Sequence, residues 1–313
     1  MSEIVLKVGG VSKRFGGLQA LSDVGISIER GQVYGLIGPN GAGKTTFFNV
    51  LTGLYSPDSG TFELGGKPYK PSAVHEVAKA GIARTFQNIR LFHNMSVIEN
   101  VLVGMDRHLV QPGRWLSARR LRDVWPVAAL AVEYAAVWLA IRFAFLPQTL
   151  TGMLLAGALA GGVAVVVAIA RRGAFSPAGV EVEAVGRGEA LALLQFVGLA
   201  ERSHDLAKNL PYGAQRRLEI ARALATRQTL LLLDEPAAGM NPAETRSLMQ
   251  LIRDIRGRDV TVLLIEHHMR VVMGISDRIA VLVYGQKIAE GAPEEIRNHP
   301  KVIEAYLGQE QLG

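Results

Sequence analysis

The sequence contains no cysteine, and this absence removes a whole class of chemistry. Disulfide bridges, zinc–thiolate centres and thiol nucleophiles are excluded across all 313 residues. The first residues also lack a basic stretch followed by an apolar run, so we expect no secretory signal. We therefore expect any catalytic chemistry to depend on other side chains and to take place on the cytoplasmic side.

Acidic residues are fewer than basic ones, 28 against 34, and the formal net charge is +6. The imbalance is concentrated between residues 107 and 185, where eight arginines face only four acids. A basic chain can bind nucleic acid. Here, however, the arginines flank apolar stretches, which is more typical of a membrane surface. We therefore expect a membrane partner and no nucleic-acid partner.

Charge is almost missing from two consecutive runs, residues 125–145 and 149–170. The first run contains only Glu133 and Arg142 as charged residues, and the second contains none. Each run is long enough to cross about 30 Å of hydrocarbon as a helix. Arginines precede the pair and follow it, at positions 114, 119, 120, 122, 171 and 172. Because the arginines and lysines that flank membrane helices are concentrated on the cytoplasmic side, the pattern predicts a membrane hairpin with both ends in the cytoplasm.

A buried helical hairpin in an enlarged soluble core is the alternative to a membrane hairpin. Glu133 favours this alternative, because a carboxylate in the middle of a bilayer costs a few kcal/mol unless it is paired or protonated. The lengths of the two runs and their flanking arginines favour the membrane hairpin.

Outside these runs, strand patterns and helix patterns alternate. Short β-branched or apolar runs predict strands at 4–8, 24–28, 33–37, 61–64, 82–85, 229–233, 260–265 and 278–283. Helical patterns occur at 45–51, 187–197, 214–227 and 243–256. A capping box formed by Ser96 and Glu99 predicts another helix start. This alternation predicts a mostly parallel sheet.

Residues 38–45 match the phosphate-binding pattern Gly-x4-Gly-Lys-Ser/Thr, known as a P-loop, between a strand and a helix. Glycines let the backbone wrap so that several N–H groups point at phosphates, and the helix adds its positive end. Lys44 is expected to reach the β- and γ-phosphates, and the Thr45 hydroxyl to hold Mg2+. The chain is therefore predicted to bind ATP with Mg2+. The expected nucleotide contacts are Gly38, Pro39, Asn40, Gly41, Ala42, Gly43, Lys44, Thr45 and Thr46.

A second acidic pattern follows the apolar strand at 230–233, which runs directly into Asp234 and Glu235. Asp234 is expected to hold the outer shell of the metal ion, since it lies at the C-terminal end of the strand. Glu235 is expected to polarise the attacking water as general base. Apolar strands often end in an acid, but together with the P-loop this pattern predicts hydrolysis of ATP.

Five motifs resemble those of the ATP-binding subunits of ABC transporters, and they occur in the same order along the chain. They are the P-loop, Arg84-Thr85-Phe86-Gln87, Leu210-Pro211-Tyr212-Gly213-Ala214-Gln215, Asp234-Glu235-Pro236 and His267. The resemblance covers about residues 3–105 and 187–309. Five stretches are similar to the ATPase of branched-chain amino acid importers: residues 90–92, 236–242, 265–267, 272–278 and 302–308.

The resemblance implies further roles. Phe15 would stack on adenine, with a place in the core as its alternative. Gln87 would contact Mg2+ and water and sense the membrane partner. His267 would contact the γ-phosphate, whereas His268 matches no role and is expected at the surface. Near the signature, nucleotide contacts are expected from Leu210, Tyr212, Gly213 and Gln215.

The signature, residues 210–214, departs from the family's usual Leu-Ser-Gly-Gly-Gln. Pro211 stands in place of the serine whose hydroxyl meets the γ-phosphate of the other subunit's ATP, and proline also lacks an N–H donor. Gly213 and the N-terminus of the following helix keep some attraction for an anion. The ATP site completed by this signature is therefore predicted to be the weaker of two. Asn241 stands where many relatives carry aspartate, and it can still form hydrogen bonds.

These observations predict an α/β P-loop ATPase of the ABC type, with a mixed-sheet core and a helical subdomain. Residues 1–106 are expected to form the first part of the core, residues 107–186 the inserted hydrophobic hairpin, and residues 187–313 the rest. The resemblance implies the ATP-hydrolysing subunit of an importer for branched-chain or related amino acids. It also implies the cytoplasmic face of a bacterial inner membrane, a second ATPase subunit in a heterodimer, two permease subunits and, indirectly, a periplasmic substrate-binding protein.

Three alternatives stay open. A lipopolysaccharide-export ATPase keeps the chemistry and changes the cargo. A non-transport ABC protein that binds nucleic acid or ribosomes would need tandem ATPase halves and basic arms, and this chain has one P-loop and no lysine-rich tail. A membrane protein with a merely regulatory ATP site would bind ATP without depending on Glu235 for hydrolysis.

The predicted hairpin can be tested by membrane extraction. The full-length chain expressed alone is expected to remain in membranes through alkaline carbonate washing, because apolar spans are held by hydrocarbon rather than by charge. A variant with residues 125–170 replaced by a short glycine–serine linker is the matched control, and it is expected in the supernatant. Complete release of the full-length chain would contradict the membrane hairpin.

Overall fold

The computed structural model describes residues 3–109 and 177–310, with the side chains of residues 3–105 and 186–306. The chain divides into two units, one of Met1–Met105 with Ala190–Gly313 and one of Asp106–Glu189. All of the motifs except the hairpin lie in the first unit. The predicted hairpin runs, residues 125–145 and 149–170, lie outside the described residues. Within the two described ranges, no helix is both long enough and apolar enough to cross a bilayer.

Strands supply most of the framework of the first unit. In chain order they are β1 (Ile4–Phe15), β2 (Leu18–Glu29), β3 (Val33–Ile37), β4 (Ser59–Leu64), β5 (Lys67–Pro68), β6 (Ile82–Arg84), β7 (Leu230–Asp234), β8 (Thr261–Ile265), β9 (Arg278–Val283) and β10 (Gln286–Gly291).

The larger sheet has six strands in the order β10-β9-β3-β8-β7-β6. Its strands pair in parallel except for β10, which is antiparallel to β9. Every residue of β3, β7 and β8 is buried. Continuous apolar runs of this kind fit strands covered on both faces, as parallel strands usually are. The mostly parallel sheet predicted from the sequence is thus confirmed.

The smaller sheet is antiparallel, with the order β2-β1-β4-β5. In β2, buried and more exposed residues alternate from Val24 to Ile28, as expected for a strand with one covered face. The covered face packs into a core shared with the larger sheet and with the helix after the P-loop. Phe47 and Phe48 of that helix are fully buried there.

Helices connect the strands and cover the larger sheet. They are α1 (Lys44–Leu51), α2 (Val74–Ala80), α3 (Val97–Leu109), α4 (Pro177–Phe196), α5 (Tyr212–Ala225), α6 (Pro242–Arg256), α7 (Met269–Ile275), α8 (Pro293–Arg297) and α9 (Pro300–Glu310). A second apolar cluster joins Ile37 of β3 to Val302 of α9 and Ile296 of α8. The C-terminal helices contact mainly β9 and β10, and they share this cluster with the strand that leads into the P-loop.

Several elements have bounds close to those predicted from local sequence signals. The capping box is present, since Ser96 N donates to Glu99 Oε2 at 2.9 Å and Glu99 N donates to Ser96 Oγ at 3.3 Å. The strands predicted at 33–37 and 278–283 have those bounds in the structure. The helix predicted at 214–227 begins two residues earlier, at Tyr212, with Pro211 at its N-cap. Proline has a φ angle suited to a helix entrance, so the helix starts directly within the signature.

Candidate active site

The sheet brings the ends of four strands to one edge. β8 lies between β3 and β7, and Ile265 is paired with both Leu36 and Asp234. β6 runs beside β7, with Arg84 opposite Leu232. Because these strands are parallel, the segments that follow them leave the sheet at the same edge. Those segments are the P-loop, the Gln87 loop (residues 85–90), and residues 235–241 and 266–268.

The P-loop joins β3 to α1 through glycines in the left-handed region, and neighbouring backbone makes two of them necessary. Gly38 has a φ of 153° and Gly43 a φ of 97°. A Cβ on Gly38 would collide with the carbonyl oxygen of Leu282, and one on Gly43 would lie 2.6 Å from that of Ala20. The loop is therefore fitted between β9 and β2, and Pro39, Asn40, Gly41 and Ala42 complete its curve before the first turn of α1.

Lys44 is the first residue of α1 and is only 7% exposed. Its Nζ donates to the carbonyl oxygens of Gly38 at 2.6 Å and Pro39 at 2.9 Å. Burial lowers the pKa of Lys44, and the nearby Glu235 carboxylate offsets part of this shift. The Lys44 ammonium thus binds carbonyl oxygens of its own P-loop. Anionic phosphate oxygens are stronger hydrogen-bond acceptors for this ammonium than these carbonyl oxygens are.

Asp234 ends β7 and is paired with a second buried charge, Arg84 at the end of β6. Arg84 Nη2 lies 2.6 Å from Asp234 Oδ2, and both side chains are less than a tenth exposed. Arg84 Nη1 also donates to Asn49 Oδ1 at 2.7 Å and Thr52 Oγ1 at 3.1 Å. Arg84 therefore joins two strands to α1 and orients Asp234. No role for Arg84 is predicted from the sequence, although a charge at the last position of a buried strand is a signal for one.

Glu235 occupies an unusual backbone conformation directly after β7. Its φ is 44°, and its N–H donates to the carbonyl oxygen of Ile265 at 2.9 Å. The Gln87 amide nitrogen donates to Glu235 Oε2 at 2.9 Å, and His267 Nδ1 lies 3.5 Å from the same oxygen. The three residues predicted to be catalytic are thus brought together around one carboxylate oxygen.

Glu266 is a functional candidate that is not predicted from the sequence. Its side chain is fully buried, and it accepts hydrogen bonds from the backbone N–H groups of Ala237 at 2.9 Å and His267 at 3.2 Å. His268 Nδ1 lies 3.2 Å from Glu266 Oε2, and the His267 and His268 rings are 4.1 Å apart. His268 is half exposed, as expected, but it supports this group. Glu266 therefore fixes His267 relative to the loop after Glu235.

The signature lies at the start of α5. Tyr212 is 43% exposed, whereas Gly213 and Leu210 are buried. The Gln215 side-chain nitrogen donates to the carbonyl oxygen of Leu210 at 2.8 Å, so this donor is used within the signature region itself. A Cβ on Gly213 would lie 2.8 Å from Glu244 Oε1. A carboxylate therefore stands beside the position from which the helix would attract an anion.

Phe15 ends β1 at the tip of the β1–β2 hairpin and is 40% exposed. Its ring meets the edge of Tyr55, with the ring centroids 5.2 Å apart and an interplanar angle of 75°. The Lys13 ammonium lies 5.4 Å from the ring centroid. The alternative place in the core is therefore wrong, and the residue is partly open to solvent.

The residues predicted to bind a metal ion present suitable atoms. Thr45 is exposed at the start of α1 and supplies a hydroxyl oxygen. Asp234 supplies a carboxylate of which one oxygen contacts Arg84, and Gln87 supplies an amide oxygen while its nitrogen contacts Glu235. Hydroxyl, carboxylate and amide oxygens are the hard ligands that Mg2+ prefers, and Mg2+ usually also keeps several waters. The donor set therefore fits Mg2+ bound together with a nucleotide.

Solved structures with this fold include ATP-binding cassettes of ABC transporters. One, crystallised in its ADP conformation, has a TM-score of 0.68 and 27% sequence identity, with 97% of this chain and 99% of that chain covered. A nucleotide-free cassette has a TM-score of 0.67, also at 27% identity, with 97% and 98% covered. The expected P-loop ATPase architecture is confirmed.

Two family descriptions match the sequence. Residues 21–238 match the family described as ABC transporter, and residues 286–311 match the family described as branched-chain amino acid ATP-binding cassette transporter. The high-affinity branched-chain amino acid transport ATP-binding protein BraF of Pseudomonas aeruginosa is 40% identical, over 99% of this chain and all of that protein. The corresponding protein LivG of Escherichia coli K12 is 39% identical over the same shares. The chain belongs to the ABC transporter family and is an ATP-binding, ATP-hydrolysing member of it.

Proposed function

We propose that this chain is the ATPase subunit of an importer for branched-chain amino acids. One observation carries the proposal for the chemistry: Gln87 and His267 both reach Glu235 Oε2 at the sheet edge where the P-loop begins. The cargo rests on the relatives, since BraF and LivG are named for branched-chain amino acid transport and match almost the whole chain. The match of residues 286–311 to a branched-chain amino acid family supports the same cargo.

The positions of the site residues support the following proposed roles. The P-loop N–H groups and Lys44 would bind the phosphates, with Lys44 exchanging its carbonyl acceptors for phosphate oxygens. Glu235 would accept a proton from the attacking water, and the Gln87 amide would hold both the water and this carboxylate in place. His267, half exposed next to Glu235, would contact the γ-phosphate. A bound Mg2+ would supply charge neutralisation on the phosphates, held by Thr45, Asp234 and Gln87.

The transporter would contain two such ATPase subunits, with ATP between the P-loop of one and the signature of the other. Closure of the ATPase dimer around ATP would move the permease, because ATP binds the closed dimer better than the open one. A heterodimer, two permease subunits and a periplasmic binding protein complete the proposed assembly at the cytoplasmic face of the bacterial inner membrane. The hydrophobic residues 125–145 and 149–170 would anchor the subunit beside the permease.

The proposal is tested by transport in vesicles that contain the purified complex. Glu235→Gln is expected to keep ATP binding and to lower hydrolysis by about 100-fold or more, because the general base is lost. Uptake of labelled leucine should fall together with the rate of ATP hydrolysis. Glu63→Gln, a substitution of a carboxylate on β4, is the matched control and should leave both rates unchanged. A wild-type complex that hydrolyses ATP without importing leucine, isoleucine or valine would refute the cargo, and hydrolysis unaffected by Glu235→Gln would refute the chemistry.

The two ATP sites of the dimer are expected to be unequal. Pro211 offers neither a hydroxyl nor an N–H group, and the Glu244 carboxylate beside Gly213 opposes an anion. The site completed by this signature should therefore contribute less. Glu235→Gln, which disables the other site, should remove most of the hydrolysis, and substitution of the partner's equivalent carboxylate should remove less. Equal losses would contradict the asymmetry.

Phe15 is expected to contribute to nucleotide affinity by stacking. Phe15→Ala should weaken ATP binding to the full-length chain about 10-fold, since base–aromatic stacking contributes about 1–3 kcal/mol. Phe15→Trp should retain the affinity for ATP. Phe15→Ala should weaken GTP binding as much as ATP binding, because every base has a face that can stack. Phe92→Ala removes an aromatic of similar exposure, 47% against 40%, and serves as control. A titration with a fluorescent ATP analogue that shows less than a twofold change for Phe15→Ala would argue against stacking.

A further inference from the structure

The signature helix α5 carries two charged side chains in a fully buried position. Arg216 has no exposed surface and Glu219 is 1% exposed, and Arg216 Nη1 lies 2.8 Å from Glu219 Oε2. Arginine and glutamate are almost never fully buried unless they are paired, because removing both charges from water costs several kcal/mol per ion. Such a pair is retained where its remaining hydrogen-bonding groups are also used.

Except for Arg216 Nε, which has no hydrogen-bond partner among the described residues, the remaining groups of this pair are used on the backbone of the Gln87 loop. Arg216 donates through Nη1 to the carbonyl oxygen of Phe86 at 2.6 Å and through Nη2 to that of Gln87 at 2.7 Å. Glu219 Oε1 accepts from the N–H groups of Phe86 and Arg90, both at 3.3 Å. The Gln87 loop has no strand or helix of its own. Two side chains of α5 thus replace the regular hydrogen bonds that this loop lacks.

The same guanidinium also contacts the signature. Arg216 Nη2 lies 3.3 Å from the Tyr212 hydroxyl, and Tyr212 is the first residue of α5. On the other side, the side chain of Gln87 donates to Glu235 Oε2 at 2.9 Å. A continuous series of hydrogen bonds therefore runs from Tyr212 through Arg216 to the Gln87 carbonyl, and from the Gln87 amide to the catalytic carboxylate.

We infer that Arg216 and Glu219 form a clamp on the Gln87 loop that positions Gln87 against Glu235, so that hydrolysis in one subunit depends on the placement of its own signature helix. Arg216 is a positioning residue in this proposal, since it is fully buried and acts through Gln87. The planar guanidinium suits the task, because its fork reaches two neighbouring carbonyl oxygens while pairing with a carboxylate.

A double-mutant cycle distinguishes this role from simple support of the fold. Arg216→Lys keeps the charge beside Glu219 but replaces the fork with a point charge that cannot hold both carbonyl groups. In the full-length chain purified with its partner subunits, this variant should lower the kcat of ATP hydrolysis about 10-fold or more, since misplacement of about 1 Å can cost 100-fold. The KM for ATP should change less than twofold, because the P-loop is untouched.

The decisive comparison is made in a Gln87→Ala background, where Arg216→Lys should lower kcat less than twofold further. Independent losses that multiply would overturn the clamp and leave Arg216 as a residue of the fold alone. Arg217→Lys, one position along the same helix, is the matched control and should leave kcat unchanged. The temperature of thermal unfolding is recorded for every variant, so that the kcat values are compared between folded proteins.

Glu219→Gln provides a second and milder variant if Arg216→Lys fails to fold. It retains a side-chain oxygen for the Phe86 and Arg90 N–H groups but removes the charge that holds Arg216. A smaller loss of kcat is expected, which again disappears in the Gln87→Ala background. A loss that persists at full size in that background would overturn the proposal in the same way.

Discussion

The parallel hydrogen bonds of β8 with β3 on one side and β7 on the other determine where the chemistry can occur. Ile265 is opposite both Leu36 and Asp234, so the P-loop, the acidic pair and the histidine segment leave the sheet at one level. A shift by one residue would turn every side chain of a strand to the opposite face. Every residue of these three strands is buried, so a shifted strand would have to repack on both of its faces.

Around that edge, the protein places charged groups where water is largely excluded and satisfies them with each other or with backbone. Arg84 is paired with Asp234, Glu266 accepts from backbone N–H groups, and Arg216 is paired with Glu219. An unpaired charge at any of these positions would be costly, so each pair restricts its neighbours to one arrangement. The buried pairs thereby order three loops that have little regular structure of their own.

Much of the site could be predicted because its signals are local. The P-loop depends on glycine spacing between a strand and a helix, and Asp234 and Glu235 directly follow an apolar run. Arg216, Glu219 and Glu266 could not be assigned in this way, since their partners lie far away in the sequence: Phe86 is 130 residues from Arg216. The hydrophobic periodicity of a segment indicates its secondary structure and its buried face. It does not indicate which backbone groups of a distant loop lack hydrogen bonds.

The same limit applies to the fold. The strands at 33–37 and 278–283 were predicted with their observed bounds because both are buried apolar runs. The short helices α2 and α7, of seven residues each, were missed. Helices this short gain little from intrinsic propensity and are stable only through tertiary packing, as Val271 and Val272 of α7 illustrate by their burial.

The left-handed backbone of Glu235 sets the proposed chemistry against the stability of the fold. A φ of 44° in a residue with a Cβ costs about 1–2 kcal/mol, which glycine would avoid. Glycine at this position would relieve this backbone strain but would remove the carboxylate that is proposed as the general base. Stability and the proposed activity therefore make opposite demands on this single residue.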